Sequence, residues 1–299
     1  MKTYILYNPM AGRGTSETEG KRLAALYEGE VRFFNITEIE DYSALLSPLG
    51  EEDNVVICGG DGTLNRFANA VKSVDFRCNV LYYAVGTGND FLKDLGKEVG
   101  EAPFRINDYI KILPYVELKG KKYLFLNGIG FGLDGYCCAM GDKSKAKAPE
   151  KHVNYTAIAV KGLLLHYKPT NATVVVDGET YNFKKVWVAS AMKGRYYGGG
   201  LKTAPDQDRL AEDGEVSVVI IHGTNRLMTL PILSKMSSGA HVKCTKAVTI
   251  LKGKDVTVTY DSPSPLQVDG ETELDVLSYH VGAGAPGAEA AAEEAVASV

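Results

Sequence analysis

Across residues 1–118, short apolar runs alternate with stretches of helical periodicity. Thr3–Tyr7, Val31–Ile36, Asn54–Cys58 and Asn79–Ala84 are rich in β-branched, aromatic and aliphatic residues and have the length of strands. Between them, helical patterns run from Ser16 toward Glu28, from Tyr42 to Leu46, from Leu64 to about Ser73, and from the Gly86-Thr87-Gly88-Asn89-Asp90 segment to Leu95. Ser16-Glu17-Thr18-Glu19 reads as a capping box that opens the first helix. This alternation predicts a parallel sheet covered on both faces. Such sheets bind ligands outside the carboxyl ends of their strands, where both glycine-rich segments fall.

The pattern changes near Val116. Tyr123–Leu126, Thr173–Val176, Lys185–Ala191, Val216–Ile221, Val248–Leu251, Val256–Tyr260 and Asp275–Val281 are strand-like, and Asp177-Gly178 and Asp269-Gly270 are hairpin-type turns. Helical patterns interrupt them at Asn154–His166 and Asn225–Ser237. The expected organisation is an α/β nucleotide-binding domain over 1–118 and a mostly antiparallel β-sandwich domain over 119–282. An alanine- and glutamate-rich solvated tail occupies 283–299.

Composition narrows the function. The chain is 45% apolar and 23% charged, which fits a globular protein rather than a disordered one. With 33 basic and 37 acidic residues the net charge is −4, so no basic face for nucleic acid is expected. Cys58, Cys78, Cys137, Cys138 and Cys244 show no C-x-x-C spacing and fit the reduced, mostly buried thiols of a cytoplasmic protein. The longest apolar stretch, Val153–Tyr167, is broken by Lys161-Gly162 and is shorter than the ~20 residues a spanning helix needs. Membrane contact is therefore expected to be peripheral.

Three loops at strand ends carry candidate chemistry. Gly59-Gly60-Asp61-Gly62-Thr63 comes after a buried strand and leads into a helix. Its glycines allow positive φ and close backbone approach, and successive N–H groups at a helix start attract anions. Asp61 adds a carboxylate for Mg²⁺ or water, and Thr63 a hydroxyl for a cap or a phosphate. Gly86-Thr87-Gly88-Asn89-Asp90 repeats that context one strand later, where plain N-capping by Asn89 is the blander reading. Asn8-Pro9-Met10-Ala11-Gly12 is the third loop. No Walker-type G-x-x-x-x-G-K-[ST] occurs. One G-x-G-x-x-G, Gly130 to Gly135, lacks a surrounding β-α-β unit and an acidic residue about twenty positions on, so it is a weak dinucleotide signal. Lys143, Lys145, Lys147 and Lys151 form a basic cluster that could attract anionic headgroups, or simply a solvated loop.

These loops, with Asn65 and Phe91 continuing the last two, resemble the diacylglycerol kinase catalytic domain family of bacterial soluble lipid kinases, which is similar to sphingosine and ceramide kinases. The likeness continues through Asn127-Gly128-Ile129-Gly130-Phe131-Gly132-Leu133-Asp134, Tyr197-Gly198-Gly199-Gly200, Ala204-Pro205, Asp213-Gly214 and Val268-Asp269-Gly270-Glu271. It implies an active site in a cleft between two domains, with ATP and Mg²⁺ as nucleotide and metal. The γ-phosphoryl group would pass to the hydroxyl of diacylglycerol or a related lipid. It implies Glu271 as catalytic base and Asp61 as organiser of phosphate and metal. Nucleotide contacts are implied at Asn8, Gly12, Thr37, Gly59, Gly60, Asp61, Gly62, Thr63, Leu64, Asn65, Thr87 and Asp90. A structural Mg²⁺ is implied at Asp213 with Leu210 and Glu215. Two departures stand out. No acid occurs at Lys111–Val116, where many members carry an aspartate, the nearest being Asp108 and Glu117, and Lys93 replaces a usually small residue.

The reading is an ATP- and Mg²⁺-dependent lipid kinase, cytoplasmic and peripheral at the inner membrane face. The alternatives are an NAD kinase-like enzyme acting on a soluble dinucleotide, and a catalytically weak regulatory protein that binds nucleotide or lipid. A homodimer is carried as a candidate assembly.

Overall fold

The computed structural model describes residues 1–85, 88–148, 153–211 and 214–282. Thr87, Asp213, Lys151 and the 283–299 tail lie outside the described residues. The chain divides into two compact units, one running Met1–Leu113 and one beginning at Pro114.

The first unit holds β1 (Lys2–Tyr7), α1 (Ser16–Leu23), β2 (Glu30–Asn35), α2 (Tyr42–Leu46), β3 (Asn54–Gly59), α3 (Asp61–Ala70), β4 (Asn79–Ala84), α4 (Asp90–Asp94), β5 (Phe104–Arg105) and α5 (Asn107–Lys111). The sheet order is β2-β1-β3-β4-β5, parallel except for β5, which runs antiparallel to β4. Both faces are apolar, so both are covered. α1 lies against Ile5 and Cys58 at Gly20, where an added Cβ would come within 3.2 Å of Ile5. Elsewhere in this unit Phe67 of α3 meets Tyr42, and Phe91 of α4 meets Tyr82, both edge-on.

The capping box at Ser16 does not form. Ser16 is the first residue inside α1, and its buried hydroxyl donates to the Cys58 carbonyl at 2.8 Å. A tertiary acceptor on β3 takes the hydroxyl that the local pattern assigned to the helix. The helix α3 also starts earlier than the periodicity suggested, at Asp61 rather than Leu64. Its polar first turn carries no apolar repeat and so hid the start.

The second unit holds β6 (Tyr115–Leu118), β7 (Lys121–Leu124), β8 (Gly128–Phe131), α6 (Leu133–Lys147), α7 (Tyr155–Lys161), β9 (Thr170–Val176), β10 (Glu179–Val186), β11 (Val188–Met192), β12 (Tyr196–Tyr197), β13 (Leu201–Lys202), β14 (Val216–Ile221), α8 (Arg226–Lys235), β15 (Val248–Gly253), β16 (Asp255–Val268) and β17 (Glu271–Gly282). A π-helical turn, Gly162–His166, continues α7. The antiparallel path is β15-β14-β11-β8-β16-β17-β6-β7. β16 is the pivot: its first half pairs with β9 and its last three residues with β8. The register shifts between Thr259 and Leu266, across Pro263 and Pro265, which cannot donate to a ladder. The sheet therefore turns over itself as a sandwich. Its interior includes Phe131, Val174, Val218, Val258, Leu266 and Tyr279, with Phe131 stacked on Tyr260 at 3.9 Å.

Two further readings are corrected. Lys185–Ala191 is two strands divided at Trp187; Lys185, at φ +52, lies in the irregular end of the first. The helix α6 has no counterpart in the apolar periodicity. Its inner side is small residues: a Cβ on Gly135 would lie 2.1 Å from the Pro265 carbonyl, and one on Gly141 2.5 Å from Tyr155. The G-x-G-x-x-G glycines thus serve helix packing on β16. Lys143, Lys145 and Lys147 stand on the exposed last turns of this helix. All five cysteines are free; burial pushes the thiols of Cys58 and Cys78 up to about 11 and of Cys137 to about 12. Among the described residues no helix is long and apolar enough to cross a membrane.

Candidate functional site

Among the described residues, each unit carries a polar cluster at loops the sequence singled out. In the first, the order β2-β1-β3 means that the chain leaves β1 and β3 side by side at their carboxyl ends, the switch point of an open sheet. Asn8 sits there. Its amide donates to the Cys58 carbonyl at 3.3 Å, its Nδ2 donates to the Thr63 Oγ1 at 3.0 Å, and its Oδ1 accepts from the Met10 amide. One side chain thus ties the first loop to the first turn of α3. Gly12 has φ +61, and a Cβ there would lie 2.4 Å from Val85, so only glycine lets this loop lie against the end of β4.

The expectation of positive φ in the 59–62 turn is not met. Gly59, Gly60 and Gly62 keep ordinary φ, with Gly60 at −98°. They supply room instead. A Cβ on Gly59 would strike the Thr63 side chain at 2.5 Å, whereas one on Gly62 would meet nothing within 4 Å. Gly62 is exposed at the head of α3, where the helix dipole favours an anion. Asp61 is the first helical residue and is 8% exposed; its Oδ2 accepts from the Phe91 amide at 3.1 Å. That bond joins the loops after β3 and β4. Asp90 opens α4 and is buried, and Asn89 makes no side-chain cap there. Leu64 is fully buried and anchors α3, while Asn65 Oδ1 accepts from Asn69. Thr37 is exposed past the end of β2 and donates to the Asn35 Oδ1 at 2.8 Å.

In the second unit the cluster is a clamp around a two-residue hairpin. Asp269 (φ +47) and Gly270 (φ +97) form the turn that closes on the Val268–Glu271 pair. The Asp269 carboxylate accepts from the amides of Leu126, Asn127 (2.8 Å) and Gly128 (3.0 Å). Burial pushes this carboxyl up, opposed by those three amides and by Arg209. Arg209 is buried and donates to the Leu126 carbonyl and to Asn127 Oδ1. Gln267 Oε1 accepts from the Gly270 amide at 2.7 Å while its Nε2 donates to Asp134 Oδ2 at 3.1 Å. Burial holds the Asp134 carboxyl up at about 6, against hydrogen bonds from Gln267 and Tyr197. Past the turn, Thr272 donates to Asp142 and Glu273 pairs with Lys119. Glu271, between the turn and Thr272, is exposed.

Arg209, Gln267 and the partners of Asp134 were not read from the sequence. Gln267 lies beside apolar Leu266 and Val268, a polar residue in a buried strand end, which was the one available signal. Leu210 is exposed, and its amide donates to Asp208. The Glu215 carbonyl accepts from Gln207 Nε2 at 2.9 Å, and its side chain pairs with Lys252. Asp108 pairs with Arg105 at the surface, and Glu117 lies on β6 level with His280. Among the described residues no group of three His, Cys, Asp or Glu side chains could hold a metal ion.

Comparison with known proteins agrees with this architecture. Residues 2–111 match the diacylglycerol kinase catalytic domain, and residues 127–282 match the YegS C-terminal NAD kinase beta sandwich-like domain. The chain is 28% identical over 237 residues to "Putative lipid kinase YtlR" of Bacillus subtilis strain 168, covering 73% of each chain. It is 27% identical over 230 residues to a "Putative lipid kinase" of Staphylococcus aureus strain JH9, covering 75% of this chain and 72% of the relative. A solved structure titled "A putative diacylglycerol kinase from Bacillus anthracis str. Sterne" shares the fold with TM-score 0.66 at 20% identity, covering 94% of both chains. An α/β unit with its polar loops at the sheet's switch point, succeeded by an antiparallel sandwich with a clamped Asp-Gly-Glu hairpin, makes this chain a member of the diacylglycerol kinase catalytic domain family, of lipid-kinase type.

Proposed function

We propose that the protein transfers the γ-phosphoryl group of ATP to the hydroxyl of diacylglycerol or a related single-hydroxyl lipid. The observation that carries this reading is the contrast at the hairpin. Asp269, Gly270, Thr272 and Glu273 are each fastened, while Glu271 projects exposed from a turn with no slack. A fixed backbone under an unengaged carboxylate suits a general base.

In the reaction, the lipid hydroxyl oxygen attacks the γ-phosphorus, and its proton passes to a Glu271 carboxylate oxygen. The bond from that phosphorus to the β–γ bridging oxygen breaks, and ADP leaves. Phosphoryl transfer of this kind depends on positioning and charge neutralisation. The head of α3 at Gly60–Thr63 holds phosphate oxygens, and Asn8 and Thr63 fix the loops around it. Asp61 and Asp90 are buried hard-oxygen donors of the sort Mg²⁺ takes beside a nucleotide. When bound there, the ion neutralises phosphate charge. A structural Mg²⁺ would be held by Asp213 with Leu210 and Glu215. A bilayer acceptor implies work at the cytoplasmic membrane face in peripheral contact.

The test is turnover of γ-³²P-ATP by the full chain against diacylglycerol, sphingosine, ceramide and NAD. Labelled lipid is the expected product. Label in NAD alone, or nucleotide binding with no turnover at all, would overturn the reading.

A further inference from the structure

The exposed large apolar side chains of the second unit include a group where α7, its π-turn and α8 meet. Leu165 is 67% exposed, Leu227 78% and Met228 57%, with Tyr155 at 41% and Val160 at 38% along α7. These are not scattered. Arg226 donates from Nε to the Leu163 carbonyl at 3.0 Å and from Nη2 to the Tyr167 carbonyl at 3.2 Å. The first turn of α8 is thereby tied to the π-turn, and Leu227 and Met228 come directly after the residue that ties them. The π-turn closes through the Tyr167 amide on the Gly162 carbonyl at 2.8 Å, and Gly162 rests on Tyr136 of α6. Leu163 and Tyr167 are buried in the same core as Trp187 and Ile232, so the backbone is held from inside while Leu165 is driven outward. A π-turn is an uncommon device that recurs at functional positions.

Charge selects the occupant. The whole chain carries net charge −4, yet no aspartate or glutamate occurs from residue 153 to 176 or from 216 to 254. Lys161 and Lys168 flank the leucine run, and Arg226 and Lys235 bracket α8. The exposed acid of the neighbouring α6, Asp142, is taken by Thr272 and faces Lys145. An apolar crest on acid-free segments flanked by lysine and arginine is the composition of an interfacial anchor for anionic lipid.

We propose that the crest of Leu165, Leu227 and Met228 inserts into the headgroup boundary of an anionic bilayer. The lipid-acceptor class rests on the kinase reading above; the docking face rests on its own geometry. α6 links the two: it packs on β16 through Gly135 and bonds Thr272 of the Glu271 hairpin, and it carries α7 at Gly141.

The test is cosedimentation of the full chain with phosphatidylcholine vesicles, with and without phosphatidylglycerol, at low and high salt. Binding should require the anionic lipid and weaken with salt. The Leu165→Glu, Leu227→Glu double variant should bind about tenfold or more weakly. Its melting temperature and its turnover of a monomeric short-chain diacylglycerol should be unchanged. Three results would overturn the docking face: wild-type protein that ignores anionic vesicles, a variant that binds them undiminished, or wild-type self-association lost in the variant with no vesicle binding. Vesicle binding that meets these expectations with no lipid turnover would support the face and overturn the kinase reading.

Discussion

Gly60-Asp61-Gly62 and Asp269-Gly270-Glu271 share an Asp-Gly pair and use it in opposite ways. In the first unit the aspartate starts a helix, the glycines keep ordinary φ, and the open side of Gly62 is space for something else. In the second, aspartate and glycine both take left-handed φ, and the aspartate is consumed as a cap for three amides. The neighbouring sequence decides between these uses: an apolar helical repeat begins at Leu64 in one case, and a period-two strand begins at Glu271 in the other. On the proposed reading the first segment receives a ligand and the second holds one carboxylate still.

If that division is right, the two ends fail differently. Glu271→Gln should lose ~10²-fold or more in kcat while ATP affinity and melting temperature stay at wild-type values. Steady-state kinetics with calorimetric ATP titration checks this, and full turnover by the variant would remove Glu271 from proton transfer.

The clamp beneath it should show itself in pH. Asp134 is held at about 6 against an ordinary 3.8, chiefly by burial. The stability this group contributes is fully present below about 3.8 and is lost as pH rises through about 6. By pH 7.5 the loss is on the order of 3 kcal/mol. Asp134→Asn removes that titration. In urea unfolding at pH 4 and pH 7.5, the variant should therefore gain on the wild type toward the higher pH. Parallel behaviour at both pH values would show that the carboxylate is relieved of its burial.

The sequence made the α/β alternation legible because β1, β3 and β4 are short, mostly apolar runs and the loop after each is marked by glycine. Asp177-Gly178 and Asp269-Gly270 were legible as turns because few other residues tolerate left-handed φ twice in succession. Three features were hidden for physical reasons. Ser16 has a local partner and a distant one, and only the fold reveals the Cys58 carbonyl. α6 packs through glycine and alanine, so its buried side leaves no apolar stripe. Arg209 acts on a segment 82 residues away, and no local pattern announces such a contact. Glu271 was legible only through its motif, and the structure adds why that motif is rigid: Gln267 and Asp269 bind the turn from both sides.

The finest distinction between the two triplets lies in a single methyl group. Gly270→Ala places a side chain at φ +97 and should cost about 1–2 kcal/mol although nothing stands within 4 Å of the new methyl. Gly62→Ala also meets nothing within 4 Å, but at ordinary φ inside a helix, where alanine is favoured by roughly 0.5–1 kcal/mol. Thermal unfolding should therefore move in opposite directions for two substitutions that look alike in sequence. The methyl at 62 nonetheless occupies the space in front of the α3 head. If phosphate sits there, the KM for ATP should rise roughly tenfold in a protein that is more stable than the wild type. A stabilised variant with unchanged KM would mean that the space before Gly62 is not where the nucleotide is held, and the phosphate would have to be sought along the loop from Asn8 to Gly12.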